Sequence, residues 1–233
     1  MASSDDQNTI ALKQAAADAA VEQLRDGMVV GLGSGSTATL AVASIGKRVA
    51  QGLRIIGIPT SEKTAAQARE LGIPLTTLRE HPEIDVTIDG ADEVDPALDL
   101  MKGGGGNQLR EKIVATASAR LIIVLDQRKV VPKLGTHFPI AIEVIRFGWE
   151  TTSKRLTKLG GVPALRIRDG QPYITDDGNY ILDCAWGEMA PAPQLQHQLD
   201  GITGLVEHGL FIGMASQVIV GAETGVRIID RPQ

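Results

Sequence analysis

The chain is poor in cysteine, in basic residues and in long apolar runs, and each shortage excludes a class of protein. A single cysteine, Cys184, excludes an internal disulfide and a cysteine-built metal site, and suits a reducing compartment. A net charge of -5, with Lys and Arg dispersed along the chain, argues against a nucleic-acid partner. No apolar run is long enough to span a bilayer, so we expect no membrane segment.

What is present is typical of a globular enzyme. The 233 residues can bury a large core, and the hydrophobic share of 43% and charged share of 22% are near the globular average. The first residues, MASSDDQN, are polar and acidic, with neither a secretory apolar core nor an Arg-rich presequence, so we expect a cytoplasmic location.

Short apolar segments alternate with helical patterns in the first half of the chain. Helices are expected near 9–26, 37–50 and 61–71, with strands at 28–32, 53–58, 84–88 and 121–125. Strands that are apolar on both faces and separated by helices predict an α/β fold with a doubly wound, mainly parallel, Rossmann-like sheet.

The pattern changes after about residue 132. Residues 135–211 read as a small α+β inserted domain, and residues 1–134 and 212–233 as the main α/β catalytic domain. Two apolar segments joined by AETG close the chain, which predicts a β-hairpin that rejoins the main sheet.

The segment GLGSGSTA at residues 31–38 follows a strand and precedes a helix, where α/β sheets bind phosphate. It lacks the sixth-position glycine of the dinucleotide fingerprint and the lysine of a P-loop. Two interpretations stay open: a Gly/Ser/Thr nest for one phosphate, or a tight strand-to-helix turn with a serine cap.

Three aspartates, Asp89, Asp92 and Asp95, follow the strand at 84–88. Ligands bind at such strand ends, so Asp89 and Asp92 are candidates for polar or acid/base groups, with Asp95 merely solvated. The alternatives are an acidic turn and a Mg²⁺ site, although three-residue steps converge poorly on an extended chain.

Lys102 precedes four glycines, Gly103 to Gly106, and Glu111 lies in the helix that follows. The glycines favour an anion-binding loop of backbone amides over a flexible linker. Glu111 shares a helix face with apolar residues, which suits a buried base, but an acidic side chain near a helix N-terminus also stabilises the helix dipole. Lys129, at another strand end, is a weaker candidate for an anionic ligand, and Lys13 by itself reads as solvated.

These segments, in their order, resemble type A ribose-5-phosphate isomerase. The motifs are GLGSGSTA, DGADE at 89–93, KGGG at 102–105 and REKI at 110–113, and the similarity continues through LTKLGG at 156–161 and DDGNYILD at 176–183. The resemblance implies reversible conversion of D-ribose 5-phosphate to D-ribulose 5-phosphate in the pentose phosphate pathway, without a metal or organic cofactor.

The resemblance also implies roles for individual residues. Glu111 would be the base, Asp89 and Asp92 would assist ring opening, and Lys102 would stabilise the enediolate with the glycine amides. The remaining substrate-binding residues would be Lys13, Ser34, Gly35, Ser36, Thr37, Gly90, Ala91, Gly103, Gly104, Gly105 and Lys129.

Two other functions compete with the isomerase. One is a non-catalytic sugar-phosphate sensor module, which would need neither Glu111 nor Lys102; the other is an amino-sugar phosphate deaminase. The family resemblance further implies a homodimer or a dimer-based tetramer.

Overall fold

The computed structural model describes residues 4–187 and 189–232. Met1 to Ser3, part of the polar segment on which the expected location depends, lie outside the described residues. The helices are α1 Ser4–Val21, α2 Ser36–Ala50, α3 Glu62–Glu70, α4 Gln108–Thr116, α5 Trp149–Lys158 and α6 Ala192–Asp200, with a 3₁₀ turn at Gln127–Lys129.

The chain divides into two compact units. The first unit holds the chain up to Ala91, Arg110–Val130 and the chain from Met214 onward; the second holds Asp92–Leu109 and Val131–Gly213. The expected inserted domain began at residue 135, whereas the second unit also takes in residues 92–109, because strands of that segment pair within it.

Strands of the first unit form one six-stranded sheet. They are β1 Val29–Leu32, β2 Ile56–Pro59, β3 Val86–Asp89, β6 Leu121–Asp126, β14 Gln217–Ala222 and β15 Gly225–Asp230. Their order is β15-β14-β6-β3-β1-β2, and every neighbouring pair is parallel except β14 with β15.

Both faces of this sheet are covered, as the apolar strand sequences predict. Val30 packs with Ala16 and Ala17 of α1 and with Ile45 of α2 in one cluster. Its neighbour along β1, Val29, packs on the other side in a cluster that contains Val114 of α4. Because successive strand residues point to opposite faces, this alternation places helices on both sides of the sheet. The predicted doubly wound α/β fold is confirmed.

The first helix differs from its predicted limits. We expected it at 9–26, but α1 spans Ser4–Val21. Beyond it the chain turns, since the Gln23 N–H bonds to the carbonyl of Ala20 and the Leu24 N–H to that of Val21, each three residues back.

The predicted C-terminal hairpin is present. Strands β14 and β15 pair antiparallel from Gln217 with Asp230 to Ala222 with Gly225. Gly225 adopts φ 112, a left-handed conformation that glycine enters without steric cost.

The second unit is built on antiparallel pairing. Its strands are β4 Glu93–Val94, β5 Leu100–Met101, β7 Ile140–Val144, β8 Val162–Leu165, β9 Ile167–Arg168, β10 Gln171–Pro172, β11 Tyr180–Ala185, β12 Leu205–His208 and β13 Leu210–Phe211. They form a four-stranded sheet in the order β12-β7-β11-β8, a three-stranded sheet β13-β5-β4 and the pair β9-β10.

Apolar residues of the four-stranded sheet pack with α5 and α6. Ile142 of β7 and Leu182 of β11 share a buried cluster with Leu156 of α5 and Leu195 of α6. Among the described residues, no helix combines the length and the apolar character that crossing a membrane requires.

Candidate active site

The segment at residues 33–37, called the 33–37 loop, runs from the end of β1 into the first turn of α2 and lies at the switch point of the parallel sheet. Across the sheet the parallel strands lie in the order β2-β1-β3-β6-β14, so the direction of winding reverses between β1 and β3. Ligands of doubly wound sheets bind at the carboxyl ends of the strands at this point. The 33–37 loop follows β1 directly, and Asp89 ends β3.

Asp89 holds the first of these loops in place. Its side chain is buried, and Oδ1 accepts hydrogen bonds from the backbone N–H of Ser34 at 3.0 Å and of Gly90 at 2.7 Å. A Cβ at Gly33 would lie 2.3 Å from this Oδ1 and 2.5 Å from the Asp89 Cα, so only glycine allows the approach.

Hydroxyl groups support the same loop from within the first unit. The Ser34 hydroxyl lies 2.6 Å from the Thr60 hydroxyl, and the Thr64 hydroxyl donates to the carbonyl of Gly33 at 3.1 Å. Ser34 is buried, so its side chain fixes the loop while its neighbours Gly35 and Ser36 are exposed.

Thr37 differs from the other hydroxyl residues of the loop. Its side chain is 1% exposed, and its Oγ1 has no hydrogen-bond partner among the residues that the structure describes. An unsatisfied buried hydroxyl costs free energy, so it marks a position where a ligand oxygen or water is expected. Gly35, with φ 91, precedes α2 and has no side chain to cover the backbone amides at the N-terminus of that helix.

Lys13 reaches this loop from α1 rather than lying in solvent. Its Nζ donates to the Ser36 hydroxyl at 3.0 Å and lies 3.9 Å from Oδ2 of the buried Asp126. Burial alone would raise the pKa of Asp126, but the hydrogen bonds from Arg128 and the charges of Arg128 and Lys13 outweigh it and lower the pKa.

Lys129 lies in the 3₁₀ turn after β6, and its Nζ donates to the carbonyl of Ala91 at 2.5 Å. Ala91 is buried and follows Asp89 and Gly90 beyond the end of β3. The structure therefore links Lys129 to the DGADE segment through a backbone carbonyl.

Glu111 lies in the first turn of α4 and is 5% exposed. Val114 and Ala115, farther along the helix, are buried as well, whereas Ile113 is half exposed. The preceding Arg110 points elsewhere and pairs with Glu62 at 2.9 Å. Glu111 thus occupies the buried side of α4, as its apolar helix face predicts.

In the second unit, the carboxylates of Asp92 and Asp95 accept hydrogen bonds from backbone N–H groups. Asp92 Oδ2 accepts from the Gly104 N–H at 2.7 Å. Asp95 Oδ1 accepts from the N–H of Ala97 at 2.9 Å and of Asp99 at 3.0 Å, so it shapes a turn rather than being merely solvated. Among the described residues, no group of three or more His, Cys, Asp or Glu side chains is arranged to hold a metal ion.

Lys102 follows β5 and is 3% exposed. Its backbone N–H donates to the carbonyl of Gly209 at 2.8 Å, and its Nζ lies 5.5 Å from the ring centroid of Phe211. A Cβ at Gly209 would lie 2.1 Å from the Lys102 carbonyl oxygen, so glycine is required there too. Residues 209–211, which include strand β13, therefore hold the lysine at both its backbone and its charged end.

The glycine loop is ordered by close contacts. Gly103 has φ 106 and Gly106 has φ 84, and the Gly106 N–H bonds to the Gly103 carbonyl at 3.0 Å. A Cβ at Gly106 would lie 2.4 Å from the Tyr173 ring, so that position also excludes a larger residue. These contacts give the segment a defined conformation, which argues against a flexible linker; its binding of an anion stays a prediction.

Sequence reasoning missed two residues that touch this loop. Arg166 donates to the carbonyl of Gly103 at 2.8 Å, and the Tyr173 hydroxyl donates to that of Gly105 at 3.3 Å. Both lie more than 60 residues farther along the chain, and no local pattern marks them. The one signal was the DDGNYILD motif, whose Asp183 pairs with Arg166.

The fold and the placement of the 33–37 loop define a doubly wound α/β protein with a Gly/Ser/Thr loop at its switch point. A family model described as ribose 5-phosphate isomerase A (phosphoriboisomerase A) matches residues 56–225. The chain belongs to this family.

Individual relatives agree with the family match. The chain is 52% identical over 232 residues to ribose-5-phosphate isomerase A of Synechococcus sp. (strain JA-3-3Ab), covering 98% of this chain and 99% of the relative. It is 54% identical over 219 residues to that of Gloeobacter violaceus, covering 94% and 95%.

Solved structures share the fold. Ribose 5-phosphate isomerase A from Methanocaldococcus jannaschii superposes with a TM-score of 0.90 at 38% identity, covering 94% of this chain and 98% of that one. A D-ribose-5-phosphate isomerase in complex with phospho-erythronic acid gives a TM-score of 0.92 at 36% identity, covering 95% and 98%.

Proposed function

We propose that this chain interconverts D-ribose 5-phosphate and D-ribulose 5-phosphate through an enediolate, with Glu111 as the base. Family membership carries the reaction, since the matched residues 56–225 include Asp89, Lys102 and Glu111. Burial of Glu111, at 5% exposure, supports its role because a carboxylate withdrawn from water is a more effective base.

The reaction is a proton transfer with no change in net oxidation state. Glu111 removes the proton from C2 of the open-chain aldose, and the electron pair forms the C1–C2 double bond while negative charge collects on O1. The proton on O2 then moves to O1, C2 becomes the carbonyl carbon, and Glu111 returns its proton to C1. No external oxidant, metal or organic cofactor is needed in this sequence.

The remaining residues bind the substrate and stabilise charge. Asp89 and Asp92 assist ring opening and hold sugar hydroxyls, while Lys102 and the amides of Gly103, Gly104 and Gly105 stabilise the enediolate oxygen. The phosphate and the nearby sugar atoms are bound by Lys13, Ser34, Gly35, Ser36, Thr37, Gly90, Ala91 and Lys129. The buried Thr37 hydroxyl and the Lys13–Ser36 contact support this assignment.

The assignment to Glu111 is tested by Glu111→Gln. We expect kcat for ribose 5-phosphate to fall at least about 100-fold, with KM changed only a few-fold, because the amide keeps the shape but cannot accept the proton. Glu70→Gln, which changes an exposed glutamate of α3 in the same unit, is the control and keeps wild-type kcat. A Glu111→Gln enzyme with near-wild-type turnover removes Glu111 from the role.

The reaction itself is tested by incubating the wild-type protein with ribose 5-phosphate in heavy water. We expect ribulose 5-phosphate to form. We also expect deuterium in the sugar, because the proton that Glu111 takes from the substrate exchanges with the solvent before it is returned. A sensor module would bind the sugar without either change, and an amino-sugar phosphate deaminase would instead release ammonia from its own substrate.

We further propose that the enzyme is cytoplasmic and has no nucleic-acid partner. It is organised as a main catalytic domain and a smaller inserted domain. It assembles as a homodimer or a dimer-based tetramer. Light scattering on the purified protein tests the assembly, and a monomeric mass contradicts it.

A further inference from the structure

Carbonyl oxygens of the glycine loop converge on one side chain of the second unit. Arg166 Nη1 donates to the Gly103 carbonyl at 2.8 Å and lies 3.4 Å from the Gly104 carbonyl. The next carbonyl, that of Gly105, accepts from the Tyr173 hydroxyl at 3.3 Å. Three successive glycine carbonyls are therefore held by residues of the 166–173 segment.

Arg166 is itself fixed in place. Its Nε donates to Asp183 Oδ2 at 2.9 Å, and its Nη2 donates to Asp183 Oδ1, which makes a bidentate pair. Its backbone N–H bonds to the Ile181 carbonyl at 2.8 Å, and its carbonyl accepts from Tyr173 N–H at 2.9 Å. The side chain is only 13% exposed, so the guanidinium has little freedom to move.

Holding a carbonyl also orients the amide across the same peptide bond. In a trans peptide the C=O and the N–H point in opposite directions. Fixing the Gly103 carbonyl therefore orients the Gly104 N–H, which donates to Asp92 Oδ2 at 2.7 Å. Fixing the Gly104 carbonyl orients the N–H of Gly105, an exposed residue, away from the guanidinium.

A cation on the carbonyl side has a second effect. Hydrogen bonds in a chain polarise one another, so a guanidinium on a peptide oxygen makes the N–H of the same peptide a stronger donor. Unsupported glycines sample many conformations and lose more entropy on ordering than other residues. Arg166 offsets this freedom with charge-assisted hydrogen bonds.

We propose that Arg166, held by Asp183, is a positioning residue of the isomerase reaction, which keeps the Gly105 amide directed at the oxyanion of the enediolate. This inference rests on the proposed function, in which that amide stabilises the intermediate. Arg166 acts through the loop backbone and does not touch the substrate.

Chemical rescue of Arg166→Ala tests the inference. We expect kcat for ribose 5-phosphate to fall roughly 10- to 100-fold with KM within about three-fold of wild type, because displaced groups cost turnover more than binding. Methylguanidinium, which refills the emptied space, is expected to raise the kcat of the variant several-fold. Methylammonium at equal ionic strength is expected to leave it unchanged. A merely structural role would not distinguish the two cations.

Two further variants keep the test decisive. Arg155→Ala removes a guanidinium that donates to the Thr203 carbonyl elsewhere in the unit, and is expected to keep wild-type kcat. Asp183→Asn leaves Arg166 in place but weakens its bidentate pair, so a smaller kcat loss of about three- to ten-fold is expected even if Arg166→Ala does not fold.

The outcomes separate this inference from the proposed function. Unchanged kcat in Arg166→Ala, loss of kcat without rescue by methylguanidinium, or unchanged kcat in Asp183→Asn overturns the positioning role. A wild-type protein without activity on ribose 5-phosphate overturns the proposed function first, and this inference with it.

Discussion

The two glycine-containing loops are held by different kinds of contact. The loop at 33–37 is supported by residues at strand and helix ends around the sheet switch point, including Asp89, Thr60 and Thr64. The loop at 103–106 is supported through its carbonyls by Arg166 and Tyr173, from a segment of the same unit more than 60 residues farther along the chain.

Different kinds of contact fix the conformations of the two loops. In the first loop, side chains bond to backbone amides and hydroxyls, and close packing leaves no room for a Cβ at Gly33. In the second, Gly105 has room for a Cβ, which would make an ordinary van der Waals contact at 3.5 Å with the Asn107 side chain. Long-range hydrogen bonds rather than packing therefore set the conformation at Gly105.

Alanine substitutions of glycine separate the two kinds of support most strongly. We expect Gly33→Ala to lower the free energy of unfolding by about 3 kcal/mol, because its Cβ would lie 2.5 Å from the Asp89 Cα, a backbone atom. Gly105→Ala is expected to change it by less than about 0.5 kcal/mol. Urea unfolding measures both values, and equal losses in the two variants would show that packing supports the two loops alike.

Two threonines at the first loop are expected to have different roles, one in substrate binding and one in stability. Thr37→Val is expected to raise KM for ribose 5-phosphate roughly ten-fold with little loss of stability, because its hydroxyl has no partner among the described residues. Thr64→Val removes the bond to the Gly33 carbonyl and is expected to cost about 1–2 kcal/mol of unfolding free energy.

Steady-state kinetics and urea unfolding of both valine variants check this division. A Thr37→Val protein that loses stability but keeps its KM would place Thr37 with the structural hydroxyls instead.

The pKa values of two buried carboxyl groups, one in each unit, are shifted in opposite directions. The pH dependence of stability that results is the smallest of the predicted effects. Burial raises the pKa of Glu143 above 4.5, despite hydrogen bonds from Asn179 and Thr175, since its partners are neutral and Asp177 and Glu207 add negative charge. Asp126, with Arg128 and Lys13 as partners, has a lowered pKa.

The signs of the resulting pH dependence follow from proton linkage. A carboxyl with a raised pKa binds more protons in the folded state, so its contribution to stability falls as pH rises from 4.5 through the raised value. Glu143→Gln removes this penalty, and we expect its stability relative to wild type to increase modestly over that range.

Urea unfolding at a series of pH values measures the Glu143→Gln effect, with Glu150→Gln, an exposed glutamate of α5, as the control. A gain that shrinks as pH rises contradicts the raised pKa. The lowered pKa of Asp126 acts in the other direction, since its stabilisation is present above 3.8 and is lost as pH falls.

Local sequence was enough to predict the succession of elements, although not always what holds them. The strand, glycine loop and helix at 29–50 are visible in the sequence, while Asp89, Thr60 and Thr64, which support the loop, lie elsewhere in the chain. The apolar face of α4 predicts the burial of Glu111. The C-terminal hairpin was visible because its turn and both strands lie together in the chain.

Features that depend on distant pairing were not visible. Arg166 lies 63 residues from Gly103, and nothing in its neighbourhood along the chain distinguishes it from other arginines. Similarly, residues 92–109 belong to the second unit because β5 pairs with β13, which is formed more than 100 residues later. Lys13 looked solvated because its partners, Ser36 and Asp126, are brought to it by the packing of α1.

The place of β14 in the main sheet has a consequence for how the protein folds. β14 pairs with β6, and a Cβ at Gly221 of β14 would lie 1.9 Å from the Leu12 carbonyl of α1. The first helix thus packs against a strand that lies far later in the sequence. The core of the first unit therefore closes only when distant segments of the chain meet, and such non-local pairing is intrinsically slow.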